Sequence, residues 1–379
     1  MENRRDWLKK ALMLSAALPL GTSLGQQLMA APIGKAEQNF VDGGFAELVK
    51  VRLSSNENPY GPSQRARDAI AAIMGETNRY PFQSVTEFKQ LLAKQEGVTP
   101  DHILVGAGSS DLLCAAGAAF GIEEGSILSP YPTFPMLMNY ASVYAAYWDK
   151  VSLNERLEID YAVLASRIRG RTRLVYICNP NNPTGTFVRP DVVRAFCEEI
   201  SPKVPVFADE AYIEFLDPSD QQTMVELVRQ NKNVIVSKTF SKIFGLAGLR
   251  VGYIVAKPEM IKKIARHHPG IPTNQVGLAA AKACLGDTDF MEFTRAKNAL
   301  ARAHLTDYLE TKKYFYGKSH TNFVFFDPGS DGADVMNKLG EKGFGIRVWD
   351  YKSKNWCRVS IGTLEEMKMF TRAYEELDL

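Results

Sequence analysis

Val204-Pro205-Val206-Phe207-Ala208 runs without a polar side chain and then breaks into Asp209-Glu210-Ala211-Tyr212. A strand with one wet face would alternate apolar and polar residues. A continuous apolar run asks for burial on both faces, as in a parallel sheet. The charge and phenol that follow then stand at the carboxyl end of the strand, the edge where open parallel sheets hold ligands. Working outward, residues 234–237 have the same character and lead into Lys238-Thr239-Phe240-Ser241-Lys242. Runs at 103–105, 126–129, 145–148, 174–177 and 253–255 complete seven candidate strands. Amphipathic segments of helix length, such as 85–95, 111–120 and 190–199, lie between them. This alternation predicts an α/β fold, with a mostly parallel seven-stranded sheet covered by helices.

After about residue 285 the pattern changes. A long charged helix at 287–311 precedes strand-like 322–327, helical 332–342, two further strand runs and a terminal helix. That is a smaller α+β domain. The expected organisation is therefore a large domain over 78–285 and a small one over 286–379, preceded by a linker and N-terminal arm over 32–77. No internal repeat or low-complexity block interrupts it.

Residues 1–31 differ from the rest. Arg4-Arg5-Asp6-Trp7-Leu8-Lys9-Lys10 is followed by an apolar stretch at 11–20 and by Ala30-Ala31-Pro32. Basic, apolar and small-residue regions in that order are those of an export signal. The paired arginines resemble a bacterial twin-arginine signal, which carries folded proteins to the periplasm, although Trp7 departs from that pattern and a clean Ala-x-Ala site is missing. The apolar part is too short for a membrane-spanning helix, which needs about 20 residues.

Composition narrows the function. With 45% hydrophobic and 23% charged residues the chain is an ordinary globular protein, and 45 basic against 43 acidic residues leave no excess charge for nucleic acid. Five cysteines, at 114, 178, 197, 284 and 357, are scattered without metal-type spacing, so neither a metal site nor a disulfide framework is expected.

The chemistry is concentrated in Ser237-Lys-Thr-Phe-Ser-Lys-Ile-Phe-Gly-Leu-Ala-Gly-Leu-Arg250, just after a strand. A lysine that forms an imine must be neutral at working pH, and needs a desolvated or cation-rich site to lower its pKa. Lys242 lies before an apolar, glycine-punctuated stretch and Arg250, while Lys238 at the strand end is the competing candidate. Asp209 stands at another strand end, where an ordinary helix N-cap is the bland alternative.

The segment around Lys242 resembles the lysine motif of fold-type I, class I/II aminotransferases that use pyridoxal 5′-phosphate, especially their histidinol-phosphate branch. The likeness spans about residues 52–362 and includes six further motifs in the family's order. These are Leu53-Ser-Ser-Asn-Glu-Asn-Pro-Tyr-Gly-Pro-Ser63, Arg79-Tyr-Pro81, Val105-Gly-Ala-Gly-Ser-Ser-Asp-Leu-Leu113, Asn179-Pro-Asn-Asn-Pro-Thr-Gly185, Asp209-Glu-Ala-Tyr-Ile-Glu-Phe215 and Arg358-Val-Ser-Ile-Gly-Thr363. It implies an aspartate aminotransferase-like fold, the large domain binding the cofactor.

The resemblance also implies roles. Lys242 would form the Schiff base and move the substrate proton, and Asp209 would pair with the pyridine nitrogen, keeping the ring an electron sink. Asn182 and Tyr212 would face the cofactor's phenolic oxygen, and Phe134 would stack on the ring. Ser109 and Ser110, at a glycine-led helix start, would join Thr239, Ser241 and Arg250 around the phosphate. Tyr80 would reach the phosphate of a neighbouring subunit, implying a homodimer with shared sites. Arg358 would hold the substrate carboxylate, with Tyr60 and Asn58 closing over it.

One position departs from the histidinol-phosphate pattern. Gly345-Ile-Arg-Val-Trp349 has Trp349 where an arginine usually meets substrate phosphate, with Arg347 two residues earlier on the same strand face. The expected activity is ping-pong transfer of an amino group between an amino acid, or a histidinol-phosphate-like amine, and a 2-oxo acid. Rival readings are a decarboxylase similar to threonine-phosphate decarboxylase and a non-catalytic binding protein of the same fold. A nicotinamide dehydrogenase is disfavoured because no Gly-x-Gly-x-x-Gly opens a helix after the first strand.

Overall fold

The computed structural model describes residues 49–270 and 273–378; the expected export signal lies outside them. Strands in chain order are β1 (Val51–Arg52), β2 (Ile103–Gly106), β3 (Ser126–Tyr131), β4 (Tyr147–Ser152), β5 (Thr172–Cys178), β6 (Val206–Asp209), β7 (Val234–Thr239) and β8 (Gly252–Val255). They are followed by β9 (Phe323–Phe326), β10 (Phe344–Gly345), β11 (Arg347–Tyr351) and β12 (Lys354–Ser360).

The seven-stranded sheet has the order β2-β8-β7-β6-β5-β3-β4, and only β8 runs antiparallel to its neighbours. The continuous apolar runs have the physical cause expected of them. Val206 and Ala208 enter one core with Val175, Ile177, Val234 and Val236, while Phe207 enters a second with Leu174, Tyr176 and Ile235. Helices Phe82–Glu96, Pro190–Ile200 and Gln275–Cys284 cover the first face; Ser109–Gly121 and Met136–Ser142 cover the second.

The strand expected at 145–148 begins later, at Tyr147, and runs to Ser152. Ala145 is held at φ 71 in a turn, its N–H donating to the Ser142 carbonyl, so extended backbone starts only beyond it. As the edge strand, β4 pairs only with β3 and leaves Tyr147 exposed, and its side chains are more polar than the central runs.

The smaller lobe is an antiparallel sheet, β11-β12-β9, packed against helices Thr288–Thr311, Gly332–Glu341 and Leu364–Glu375. The N-terminal arm is built into this lobe. β1 pairs in parallel with β10, the Ser360 N–H donates to the Leu53 carbonyl, and Val51 and Leu53 are buried in the lobe's core. The next arm residues, Ser54 to Asn58, are thereby drawn against the carboxyl ends of the large sheet. No helix among the described residues is long and apolar enough to cross a membrane.

Candidate active site

The carboxyl ends of β5, β6 and β7, the start of helix Ser109–Gly121 and the arm converge on one cleft. Asp209 closes β6 and is buried. Tyr176 Oη donates to its Oδ2 at 3.0 Å, and the Ala211 N–H donates to its Oδ1 at 3.2 Å. Burial pushes the carboxyl up to about 6, against the pull of the Tyr176 and Ala211 hydrogen bonds, the Lys242 charge and the Ser237 hydroxyl. The N-cap alternative for Asp209 meets a different environment, since its oxygens are spent on a phenol and a tight turn.

Lys242 stands in the loop after β7, partly accessible. Its Nζ lies 3.3 Å from the carbonyls of Ser55 and Asn56 and 5.7 Å from the centre of the Tyr212 ring. Burial, then the positive charges of Arg358 and Arg250, lower its pKa to about 7, outweighing the opposite pull of Glu57 and Asp209. Lys238 differs in its charged neighbours. Burial pulls its pKa down, but Glu96, Glu210 and Glu214 overcome that and raise it, and its Nζ is 3.0 Å from Glu96 Oε1. Of the two candidate lysines, only Lys242 is poised to shed its proton near neutral pH.

Tyr212 is buried, its hydroxyl accepting from Asn56 Nδ2 at 2.9 Å. Arg358 is only 2% exposed, an unusual place for a guanidinium. Its Nη1 donates to Asn182 Oδ1 at 2.8 Å and its Nη2 to the Ser54 carbonyl at 2.5 Å, while its Nε has no protein partner. Burial, with Arg347 opposite it across β11 and β12, lowers its pKa to about 9, and Tyr212 opposes that shift. Arg358 remains charged at neutral pH and strongly under-solvated, which makes an incoming carboxylate welcome. Trp349 lies beside it, with the guanidinium carbon 6.0 Å from the ring centre.

Ser109 and Ser110 begin their helix behind Gly108 at φ 81. The Thr239 hydroxyl donates to Ser241 Oγ at 3.0 Å, and Arg250 Nη1 reaches the same oxygen at 3.4 Å. Arg250 Nη2 donates to the Ala107 carbonyl at 3.2 Å. Two glycines keep this cradle open. A Cβ on Gly108 would lie 2.4 Å from Arg250 Nη2, and one on Gly252 would lie 2.4 Å from the Ser109 nitrogen. Backbone N–H groups at a helix start, hydroxyls and a guanidinium are the donors a phosphate requires. With a carboxylate at Asp209 and an amine at Lys242 acting on each other's charge, the residues present suit a flat, phosphorylated pyridine aldehyde. Phe134 is half-buried against the core that holds Tyr176 and Phe207.

Three further expected residues make other contacts within the single chain. Asn58 spends its amide on the Ile243 carbonyl at 2.8 Å, tying the arm to the Lys242 loop. Tyr60 packs edge-on against Phe293, with ring centres 5.2 Å apart. Tyr80 is 79% exposed beside Phe82, outside the cleft of its own chain. Asn56 was not singled out by sequence, although its motif was. It bridges Tyr212 and Ser360, and its carbonyl accepts from Asn322 Nδ2. Tyr176 carries no signal in the sequence beyond being one more residue of an apolar strand.

The Aminotransferase class I and II family matches residues 49–373. Histidinol-phosphate aminotransferase of Caldicellulosiruptor saccharolyticus is 34% identical over 335 residues, covering 88% of this chain and 93% of that protein. The structure of histidinol-phosphate aminotransferase from Sinorhizobium meliloti in complex with pyridoxal-5′-phosphate matches with a TM-score of 0.82 and 27% identity, over 96% of this chain and 98% of that one. Thermus thermophilus aspartate aminotransferase with maleate shares the fold, with a TM-score of 0.79 at 18% identity over 93% and 98% of the two chains. The chain therefore belongs to the class I and II aminotransferases, in the histidinol-phosphate aminotransferase family, and is a pyridoxal-phosphate-dependent transaminase.

Proposed function

We propose that Lys242 is the lysine that carries the cofactor and the base that moves the substrate α-proton, within a ping-pong exchange of an amino group between an amine and a 2-oxo acid. The observation that carries this reading is the contrast between a Lys242 amine lowered to about 7 among cations and a Lys238 ammonium held by Glu96. When bound, the cofactor supplies an aldehyde and an electron-withdrawing ring. Around it, Asp209 would keep the ring nitrogen protonated, and Tyr212 and Asn182 would serve the ring oxygen. Ser109, Ser110, Thr239, Ser241 and Arg250 would hold the phosphate, and Phe134 would pack on the ring. Arg358 takes the substrate's anionic group, and its neighbour Arg347 adds a second positive charge. Relatives are named for histidinol phosphate, and an anion-bearing amine of that kind suits this pair. Trp349, its ring centre 6.0 Å from the Arg358 guanidinium carbon, takes the place of a phosphate-binding arginine, so an amino acid donor is equally suited.

Borohydride reduction followed by peptide mapping tests the assignment. The cofactor mass should appear on Lys242, and Lys242→Ala should carry none. Undiminished labelling of the Lys242→Ala protein would remove this lysine from the role. Keto-acid formation, rather than carbon dioxide release, separates transamination from decarboxylation on the same scaffold.

Tyr80, exposed in the single chain, fits the reading that two copies share their sites, each supplying this phenol to the other's phosphate. The basic and apolar N-terminal run supports export to the periplasm. Replacing Arg4 and Arg5 by lysine should then keep the protein in the cytoplasm, and unchanged fractionation would refute twin-arginine export.

A further inference from the structure

We propose that Tyr176 is a positioning residue for Asp209, its phenol gripping one carboxylate oxygen so that the group stays aimed and ionised for the cofactor's ring nitrogen. This rests on the reading of Asp209 as the ring-nitrogen partner. The placement follows from register. β5 and β6 run parallel with Cys178 opposite Asp209, so Tyr176 lies one step upstream on the same face. Its side chain is fully buried, stacked on Phe207 with ring centres 5.9 Å apart, and its hydroxyl donates to Asp209 Oδ2 at 3.0 Å. A phenol in so apolar a core is costly unless its hydroxyl is paired, and here the partner is a carboxylate. With the Ala211 N–H on the other oxygen, the carboxylate is clamped at both ends and cannot swing about its Cβ–Cγ bond.

The groups that face Asp209 come from each element around it. β5 contributes Tyr176 and Cys178, β7 contributes Ser237, and the following loops contribute Ala211, Tyr212 and Lys242. The Cys178 thiol is directed at the Pro180 carbonyl at 3.3 Å, and burial raises its pKa far above the usual range. Tyr176 is likewise raised by burial and by Asp209, so it remains a donor across the working pH range. Removing its hydroxyl deletes a hydrogen bond to the charged form and leaves desolvation less opposed, which favours protonated Asp209.

The test uses holoenzyme. In Tyr176→Phe, which keeps the ring and its packing, the acid limb of the bound cofactor's visible absorbance titration should move up by about 1 pH unit. The cofactor dissociation constant should rise about tenfold, while the KM for the amino donor, set by the Arg358 half of the cleft, stays as in the parent. Incorporating 3-fluorotyrosine at 176, a stronger donor of the same shape, should move the limb in the opposite direction. That arm serves even where Tyr176→Phe folds poorly, because a merely structural ring would not respond to donor strength. Asp209→Ala is the reference. Should Asp209→Ala change spectrum and affinity while Tyr176→Phe and the fluorinated protein titrate as the parent does, the Tyr176 proposal fails alone. Should Asp209→Ala change nothing, the underlying reading of Asp209 fails and takes Tyr176 with it.

Discussion

Lys242 and Arg358 act on each other's charge but are opposite problems in electrostatics. Lys242 must give up its proton, and burial with two cationic neighbours lowers its pKa to about 7. The folded chain then binds fewer protons than the unfolded one between about pH 7 and the ordinary lysine value near 10.4. The stability contribution of this group is therefore present above that value and lost as pH falls toward 7. Capture of pyridoxal phosphate by the apoprotein should accelerate as pH rises through 7 and level off above about 8, measured by stopped-flow absorbance. A rate flat across this range would show that the amine is not the titrating group. Arg358, in contrast, must stay charged while buried, and two neutral acceptors orient it. Arg358→Lys cannot reach both Asn182 and the Ser54 carbonyl, so one buried acceptor loses its partner. The KM for a carboxylate-bearing donor should rise about 10–100-fold with kcat less affected, as steady-state kinetics would show.

At the scale of elements, the strands that carry the site are locked from behind by a buried ionic cluster. Helix Phe82–Glu96 supplies Glu96, β7 supplies Lys238 and β8 supplies Tyr253, whose hydroxyl donates to Glu96 Oε1 at 2.6 Å. Glu210, next to Asp209, accepts from the Met224 N–H at 2.7 Å and from the Thr223 hydroxyl at 2.5 Å. Burial raises Glu210 and pushes Glu214 up to about 7, with Lys238 holding both down. Lys238→Met leaves these carboxylates facing one another without a cation, which should cost about 3–5 kcal/mol at pH 8. As pH falls through 7 Glu214 takes up a proton, so the deficit should shrink by pH 5. Thermal melts at both pH values check this, and an equal loss at each would show that packing, not charge, is what Lys238 supplies. Lys238→Arg should retain most of the stability.

For the whole molecule, Tyr80 at 79% and Phe82 at 65% exposure stand side by side, ring centres 5.8 Å apart, where the helix that covers the first face of the sheet begins, and Met74, just before them in the chain, is 55% exposed. Soluble single chains rarely leave such side chains clustered in water unless another surface covers them. The 42.2 kDa chain should therefore sediment at about twice its mass, and Met74→Glu with Phe82→Glu should give a monomer that holds the cofactor more weakly. A parent protein that sediments as a monomer at micromolar concentration would end the shared-site reading.

The amino-acid sequence alone determined the α/β layering, the lysine loop and the order of the site motifs, because these are local. Burial on both faces makes a strand read as an unbroken apolar run, and a loop that handles phosphate shows its glycines and hydroxyls side by side. Only tertiary structure decided which lysine has its pKa lowered and which has it raised. Glu96, which claims Lys238, is 142 residues away in the chain, and the cations that unsettle Lys242 come from β12 and from the loop before β8. Tertiary structure also gave Tyr176 its partner, since strand register is invisible in a run of apolar residues, and it gave the Asn58 amide the Ile243 carbonyl beside Lys242. Charges and hydrogen bonds act through space over a few ångströms, so their outcome waits until folding has set distant residues side by side.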